Sequence, residues 1–185
     1  MDNGASSYRR FLDGDDEAFV DIIRDYKDGL VLYLNGYVSN IFVAEDLMEE
    51  TFVKIVTKKP KFADKYTFKT WLYTIGRHVA VDHLRHSKKW SNLPLEDMEN
   101  HLAEAESVER AYLRQEQRIT LHRAMQTLKP EYRQVLYLTY FEGFTNSEAA
   151  HAMKRSNRQI ENLLYRAKQS LRVQLEKENF VYEEL

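Results

Sequence analysis

At 185 residues, with 43% hydrophobic and 30% charged positions and a mean hydropathy of −0.61, the chain has the make-up of a soluble protein with one ordinary domain or two small ones. It contains no cysteine, which excludes disulfides, zinc thiolate centres and thiol nucleophiles. Six glycines and three prolines among many Leu, Glu, Arg, Lys and Ala predict an all-α fold, and a formal net charge of −2 excludes a uniformly basic nucleic-acid binder.

The first segment, MDNGASSYRRFLDGDDEAF, lacks the apolar core of a signal peptide, and no apolar run in the chain approaches the length of a membrane span. A cytoplasmic protein without membrane insertion is the expectation. Asp15, Asp16 and Glu17 then place carboxylates where a helix begins and its dipole favours them. Phe19, Ile22, Ile23, Tyr26, Leu30 and Leu34 follow the helical step and predict the buried stripe of a bundle helix.

A second helix is predicted over Ala44–Val56. Leu47, Met48, Thr51, Phe52 and Ile55 form its inner stripe, while Glu45, Asp46, Glu49 and Glu50 lie mostly opposite, with Lys54 the first base among them. Paired carboxylates invite a catalytic reading, but glycosidase or metal chemistry needs a cleft and further ligands. No second acidic cluster with suitable spacing follows, so the residues alone describe a solvated acidic face.

The stretch Phe62 to Trp90 is the most informative. It opens as a short polar loop, Ala63-Asp64-Lys65-Tyr66, and passes through Thr67, an N-cap residue, into one long helix. Phe68, Trp71, Leu72, Ile75 and Val79 share one face. Tyr73, Arg77, His78, Val81, Asp82 and Arg85 take the other side, and the helix runs out into Lys88, Lys89 and Trp90. A basic, partly aromatic face beside a loop suits a nucleic-acid strand, because cations hold phosphate while rings and amides meet unstacked bases.

From Ser91 to Glu109 the charged residues are Glu96, Asp97, Glu99, Glu104, Glu106 and Glu109, without a single Lys or Arg. With Pro94 and weak periodicity, this segment reads as an acidic linker. A helix is predicted over Ala111–Leu128. Pro130 opens the next, PEYRQVLYLTYFEG, with Val135, Leu136, Leu138 and Phe141 turned inward and Gly143 ending it. Two capping boxes follow, Thr145-Asn146-Ser147-Glu148 and Ser156-Asn157-Arg158-Gln159. Two capped helices separated by Met153-Lys154-Arg155 make a helix-turn-helix.

On the last helix Ile160, Leu163, Leu164, Ala167 and Leu171 point inward. Arg158, Gln159, Glu161, Asn162, Tyr165, Arg166 and Lys168 are left outside. A recognition helix of this kind puts its first residues on major-groove base edges and its cations on phosphates. The end, EKENFVYEEL, is compatible with a frayed tail, a docking segment or a self-inhibitory extension. The six histidines are scattered, and only His83 and His86 lie one turn apart without an acidic third ligand, so no metal site is expected. With no glycine-rich phosphate loop and no nucleophile elbow, neither a cofactor nor an enzymatic activity is expected.

Two runs carry a resemblance. AEDLMEETFVKI (Ala44–Ile55) with FKTWLYTIGRHVAVDHLR (Phe68–Arg85) resembles the second conserved region of bacterial sigma factors of the extracytoplasmic-function (ECF) type, in the sigma-70 family. LKPEYRQVLYLTYFEGFTNSEAAHAM with YRAKQSLR resembles the fourth conserved region. Together they cover most of residues 15 to 175. The resemblance implies an all-α chain of two small helical domains: residues 1–90 as region 2, 91–112 as an acidic linker, 113–176 as the region 4 helix-turn-helix, and 177–185 as a tail.

It also implies a transcription initiation factor that binds core RNA polymerase, directs it to promoters and helps to open the duplex, leaving catalysis to the polymerase. Asp46, Leu47, Glu49, Glu50 and Phe52 would contact the basic clamp helices of the largest subunit, with Phe52 alternatively in the core. Ala63, Asp64, Lys65, Tyr66, Thr67, Arg77, His78, Asp82 and Arg85 would meet the non-template strand of the −10 element. Many relatives carry Asn at the positions of His78 and Asp82. Here Asp82 either accepts a hydrogen bond from an exocyclic amine or simply faces Arg85.

Arg155, Arg158, Gln159, Asn162, Tyr165, Arg166 and Lys168 would meet the −35 duplex. Lys154 stands where relatives often carry Gly, and Glu161 where many have a base. The linker would thread the polymerase's basic channels in the place of RNA, and an anti-sigma factor is a further expected partner. Two alternatives remain at this stage: a helix-turn-helix regulator acting alone as a dimer, and a sigma-like decoy that binds without promoter recognition.

Overall fold

The computed structural model describes residues 3–63, 65–90, 121 and 123–177, with the side chains of 88–90 excepted. Among these residues there is helix and no strand. The elements are α1 (Asn3–Leu12), α2 (Glu17–Val38), α3 (Ile41–Lys58), α4 (Phe68–Trp90), α5 (Pro130–Leu136) continued by a π turn (Tyr137–Phe141), α6 (Asn146–Met153) and α7 (Asn157–Lys177). The linker and the tail lie outside the described residues, as does most of the helix predicted over Ala111–Leu128, which is seen only at its end.

Local chemistry sets the boundaries. Asp15 Oδ1 accepts a 3.3 Å bond from the Ala18 amide at the start of α2, while Asp15 Oδ2 accepts from Arg10. That Arg10 hydrogen bond, outweighing partial desolvation, holds its carboxyl below the usual range. Asn40 caps α3 through its side chain, which accepts from the amides of Phe42 and Val43. Thr67 caps α4 by accepting from the Thr70 amide at 3.2 Å.

The predicted stripes of α2, α3 and α4 converge on one core. Phe19, Ile22, Leu30 and Leu34 meet Ala44, Leu47, Phe52 and Ile55, and Phe68, Leu72 and Val79 close the bundle. Helix α1 was not predicted, because its apolar signal is only two rings, Tyr8 and Phe11. Both are buried, with the Tyr8 ring tilted against Phe68 and Trp71 at centroid distances of 5.6 and 5.0 Å and its hydroxyl donating to the Pro60 carbonyl. Gly4 makes this fit possible, since a Cβ there would lie 2.4 Å from the Phe68 ring.

In the second half both capping boxes form. Thr145 and Glu148 satisfy each other's amides, as do Ser156 and Gln159. Ala149, Ala152 and Met153 of α6 pack on Ile160, Leu163 and Ala167 of α7. Two expectations are corrected. Phe141 is 47% exposed rather than inward, because the π turn inserts a residue into the helical register and swings the ring outward onto Tyr137. Tyr73 is fully buried rather than on the polar side of α4, because the second half covers it.

The two halves are in contact along two lines. Arg133 and Gln134 of α5 donate to the Ser39 hydroxyl (2.6 Å) and the Gly36 carbonyl (3.3 Å) at the end of α2. Helix α6 and the loop that follows the π turn lie along α4, with Tyr73 against Phe144 at 5.3 Å.

Candidate nucleic-acid interface

Helix α7 presents its predicted set openly. Arg155, Arg158, Gln159, Asn162, Tyr165, Arg166 and Lys168 are all exposed, Tyr165 at 67%. The reason is the caps: Ser156 and Thr145 fix where each helix starts, so the inner stripe Ile160, Leu163 and Ala167 is committed to α5 and α6 and the rest must face out. The turn carries Lys154 in the left-handed region (φ 52°), the conformation for which glycine is the usual choice. Three of the set have partners that set their reach. Arg155 pairs with Glu131 at 2.7 Å, Gln159 is the capping residue of Ser156, and Lys168 sits over the Tyr140 ring.

Helix α3 divides its predicted set. Asp46, Glu49 and Glu50 are exposed along one acidic face, extended by the exposed Val53 and Lys54. Leu47 and Phe52 are core residues, 2% and 5% exposed, with Phe52 set edge-on to Phe19. Their side chains therefore position this face and do not form part of it.

Helix α4 and the loop before it also divide. Ala63, Lys65, Asp82 and Arg85 are exposed, and Asp64 lies outside the described residues. Asp82 Oδ1 faces Arg85 Nη1 at 3.5 Å, an exposed pair one turn apart. Arg77 and His78 are half-buried. His78 Nε2 is buried with no hydrogen-bond partner, and its pKa is lowered first by desolvation and then by Lys154, Arg77 and Lys54, against a smaller opposing effect of Asp82. Trp71 is half-buried among Tyr8, Phe62 and Phe68, as a core residue would be.

The start of this face is engaged by the second half. Tyr66 stacks on His151 of α6, with ring centroids 4.0 Å apart. Glu148 Oε1 stands 3.2 and 3.4 Å from the hydroxyl oxygens of Thr67 and Thr70. Lys69 Nζ is 2.5 Å from Glu142 Oε2 and donates to the Glu142 carbonyl at 2.9 Å. Burial tends to raise the Glu148 pKa, but hydrogen bonds from Thr145, Thr67 and Thr70 outweigh it and hold the carboxyl below its usual range. The Tyr73 hydroxyl, buried beside Glu142, is pushed far above its ordinary range, first by desolvation and then by that carboxylate. Sequence reasoning missed Lys69, Thr70, Glu142, Glu148 and His151 as a group. Only the charges of Lys69 and Glu142 hinted at a pairing, and nothing in the sequence brings positions so far apart together.

A helical unit with an acidic face on α3 and a half-buried Arg77 and His78 on α4, followed by a capped helix-turn-helix, has the form of a DNA-binding protein of the all-α class. Two family profiles match it: Sigma-70 region 2 over residues 22–90 and Sigma-70, region 4 over residues 118–171. Among similar proteins are the RNA polymerase sigma-H factor of Pseudomonas aeruginosa, 29% identical over 85% of this chain and 86% of that one. The ECF RNA polymerase sigma factor SigW of Bacillus subtilis is 26% identical over 88% and 91%. Among solved structures, the sigma factor RpoE in complex with the anti-sigma factor NepR from Bartonella quintana matches at a TM-score of 0.65. It is 21% identical, covers 84% of this chain and 97% of that one, and so bears on the fold alone. The chain belongs to the sigma-70 family and is of the ECF type, a transcription initiation factor that directs RNA polymerase to promoters.

Proposed function

We propose that the duties of such a factor are divided between the halves as follows. The α3 face of Asp46, Glu49 and Glu50 docks on core RNA polymerase, held in place from beneath by Leu47 and Phe52. Its three exposed carboxylates suit a basic partner surface. The loop Ala63 to Thr67, with Arg77, His78, Asp82 and Arg85, receives the single strand of the −10 element and helps to open the duplex. Helix α7, with Arg155, Arg158, Gln159, Asn162, Tyr165, Arg166 and Lys168, reads the −35 duplex. Residues 1–90, 113–176 and the acidic 91–112 are the corresponding domains and linker. The protein works in the cytoplasm, without catalysis of its own, and an anti-sigma factor of the kind bound to the Bartonella quintana protein is a fitting partner.

The observation that carries this reading is the presence, in one chain, of an exposed acidic helix, a strand-type face and an uncovered recognition helix in family order. Run-off transcription with purified core polymerase on a genomic fragment library, with and without this protein, is the test. Starts that share an upstream element establish the reading. Core binding without starts favours a decoy, and no core binding returns the choice to a regulator that acts alone.

A further inference from the structure

Where α5 meets the end of α2, a positive charge is buried without a negative one. Arg133 is only 7% exposed, yet the groups that meet its guanidinium are all neutral. Nη1 donates to the backbone and side-chain oxygens of Gln126 at 3.2 and 2.7 Å, and Nη2 to the Ser39 hydroxyl at 2.6 Å. Nε is buried and has no acceptor among the described residues. Burial lowers the pKa of the group, and no carboxylate acts on it in the opposite sense.

The neighbouring acids are committed elsewhere. Glu131 pairs with Arg155, and Glu142 with Lys69 and the Tyr137 hydroxyl. The end of α2 contributes only the partial charge of a helix C-terminus, roughly half an elementary charge. Its carbonyls at Asn35 and Gly36 are already taken by the Ser39 amide and the Gln134 side chain. A buried cation without a counter-charge is unfavourable, and an arginine does not escape by losing its proton.

Beside the guanidinium lies a cavity of about 40 Å³, bounded by Leu32, Asn35 and Gly36 of α2 and by Met125, Gln126 and Arg133. One water occupies roughly 10–15 Å³ of such space, so about three water-sized bodies fit. No acidic residue lines it among the described residues. Asn35 Oδ1, a second buried atom without a partner, belongs to the same lining. Oδ1 is an acceptor and Nε a donor, so an anion alone does not satisfy both. An anion with one water does: Nε donates to the anion, and the water donates to the anion and to Oδ1.

We propose that this cavity is a binding site for one small monovalent anion of the halide class, held by Arg133 and bridged through a water to Asn35. Chloride has the required size and charge. A dianion such as sulfate would bring a second negative charge against the end of α2, and an organic acid as large as gluconate exceeds the space. The bound anion completes the surroundings of Arg133 and so strengthens the tie between α5 and α2. Its effect is opposite to the screening by which salt weakens ordinary surface ion pairs.

The first measurement is the melting temperature of the full chain in sodium chloride, against sodium gluconate at the same ionic strength. With chloride about tenfold above its dissociation constant, the parent should melt about 3 to 5 °C higher in chloride. Asn35→Leu, which keeps Arg133, fills the cavity and favours its helix, should lose that difference. Arg133→Gln should lose it as well, and where that variant does not fold the Asn35→Leu result decides. An undiminished chloride effect in the folded variant places the anion elsewhere and overturns the site.

Crystals of the full chain grown with sodium bromide supply the second measurement. An anomalous peak within hydrogen-bonding reach of Arg133 Nε is expected. Water density there without such a peak overturns the proposal, since water alone then satisfies both atoms. A peak without any chloride-specific stabilisation marks an adventitious ion only and overturns it equally.

Discussion

Helices α4 and α7 are both long, both amphipathic and both assigned to DNA, yet one is covered and the other is bare. On α7 every outward residue expected from periodicity is exposed, because α5 and α6 together take up the inner stripe. On α4 the inner stripe packs on α1, α2 and α3, and the outer side is then partly taken by the loop and helix that follow the π turn. Periodicity identifies the side a helix must bury. It is silent on whether the remaining side meets solvent, a ligand or another part of the same chain.

The largest effect expected from breaking this comparison lies on the buried side of α4. Phe68 is fully buried in a ring cluster with Tyr8, Tyr26, Phe62 and Trp71. Phe68→Ala should cost about 4 kcal/mol, the usual penalty for removing a core aromatic. Tyr165→Ala on α7 should stay within about 0.5 kcal/mol, as exposed positions do. Paired urea denaturation curves measure both. A small loss for Phe68→Ala would mean that α1 does not hold α4 as described.

Next in size is the recognition face. Arg158 and Arg166 are exposed and unencumbered by the caps. Replacing either with Ala should weaken holoenzyme binding to a promoter fragment by about 2 kcal/mol if it reads a base, with specificity relaxed at that position. If it holds phosphate, binding should weaken uniformly and the salt dependence should fall by about one released ion. Thermal unfolding should be unchanged in both variants. A lowered melting temperature would show that the residue is structural.

The capping threonine serves both faces at once. Thr145→Ala removes the acceptor for the Glu148 amide and should cost roughly 1 kcal/mol of stability. It also removes the hydroxyl that donates to Glu148 Oε2, leaving the residue 145 amide on that oxygen, while Oε1 faces Thr67 and Thr70. Thr145→Ser should restore both functions, and denaturation of the three proteins side by side checks the order.

What could be read in the sequence follows the same division. The caps at Thr67, Thr145 and Ser156 and the stripes of α2, α3, α4 and α7 were legible because each depends on residues within one or two turns. Phe141 was misplaced because a π turn shifts register without a residue type that announces it. Tyr73 was misplaced because its cover, Phe144 and Glu142, comes from a distant part of the chain. Helix α1 escaped because Asn, Gly and Ser dilute two aromatic anchors. For the site, the exposed sets of α3 and α7 follow from helical phase plus resemblance. The Lys69–Glu142 and Tyr66–His151 contacts depend on how two units dock, and no local pattern encodes that.

The smallest effect expected is the dependence of the α4–α6 contact on pH. His78 faces Lys154 from the helix-turn-helix, Arg77 and Asp82 on its own helix and Lys54 from α3. Desolvation and the cations lower its pKa from 6.5, so the closed arrangement favours the neutral ring. His151, stacked on Tyr66, is shifted in the same direction by burial and by Lys65. When the halves part, the influence of Lys154 on His78 and of Lys65 on His151 is lost and both rings recover toward the ordinary value. Closure is therefore at full strength above that value and weakens as pH falls below it through the depressed values of the closed form, because the open chain takes up protons more readily. Distance measurements across pH 8 to about 5.5 should show the longer population growing with acid. In His78→Asn with His151→Gln that growth should be lost while the closed distance at high pH persists. If the double variant opens with acid as the parent does, the two histidines are not the groups that respond.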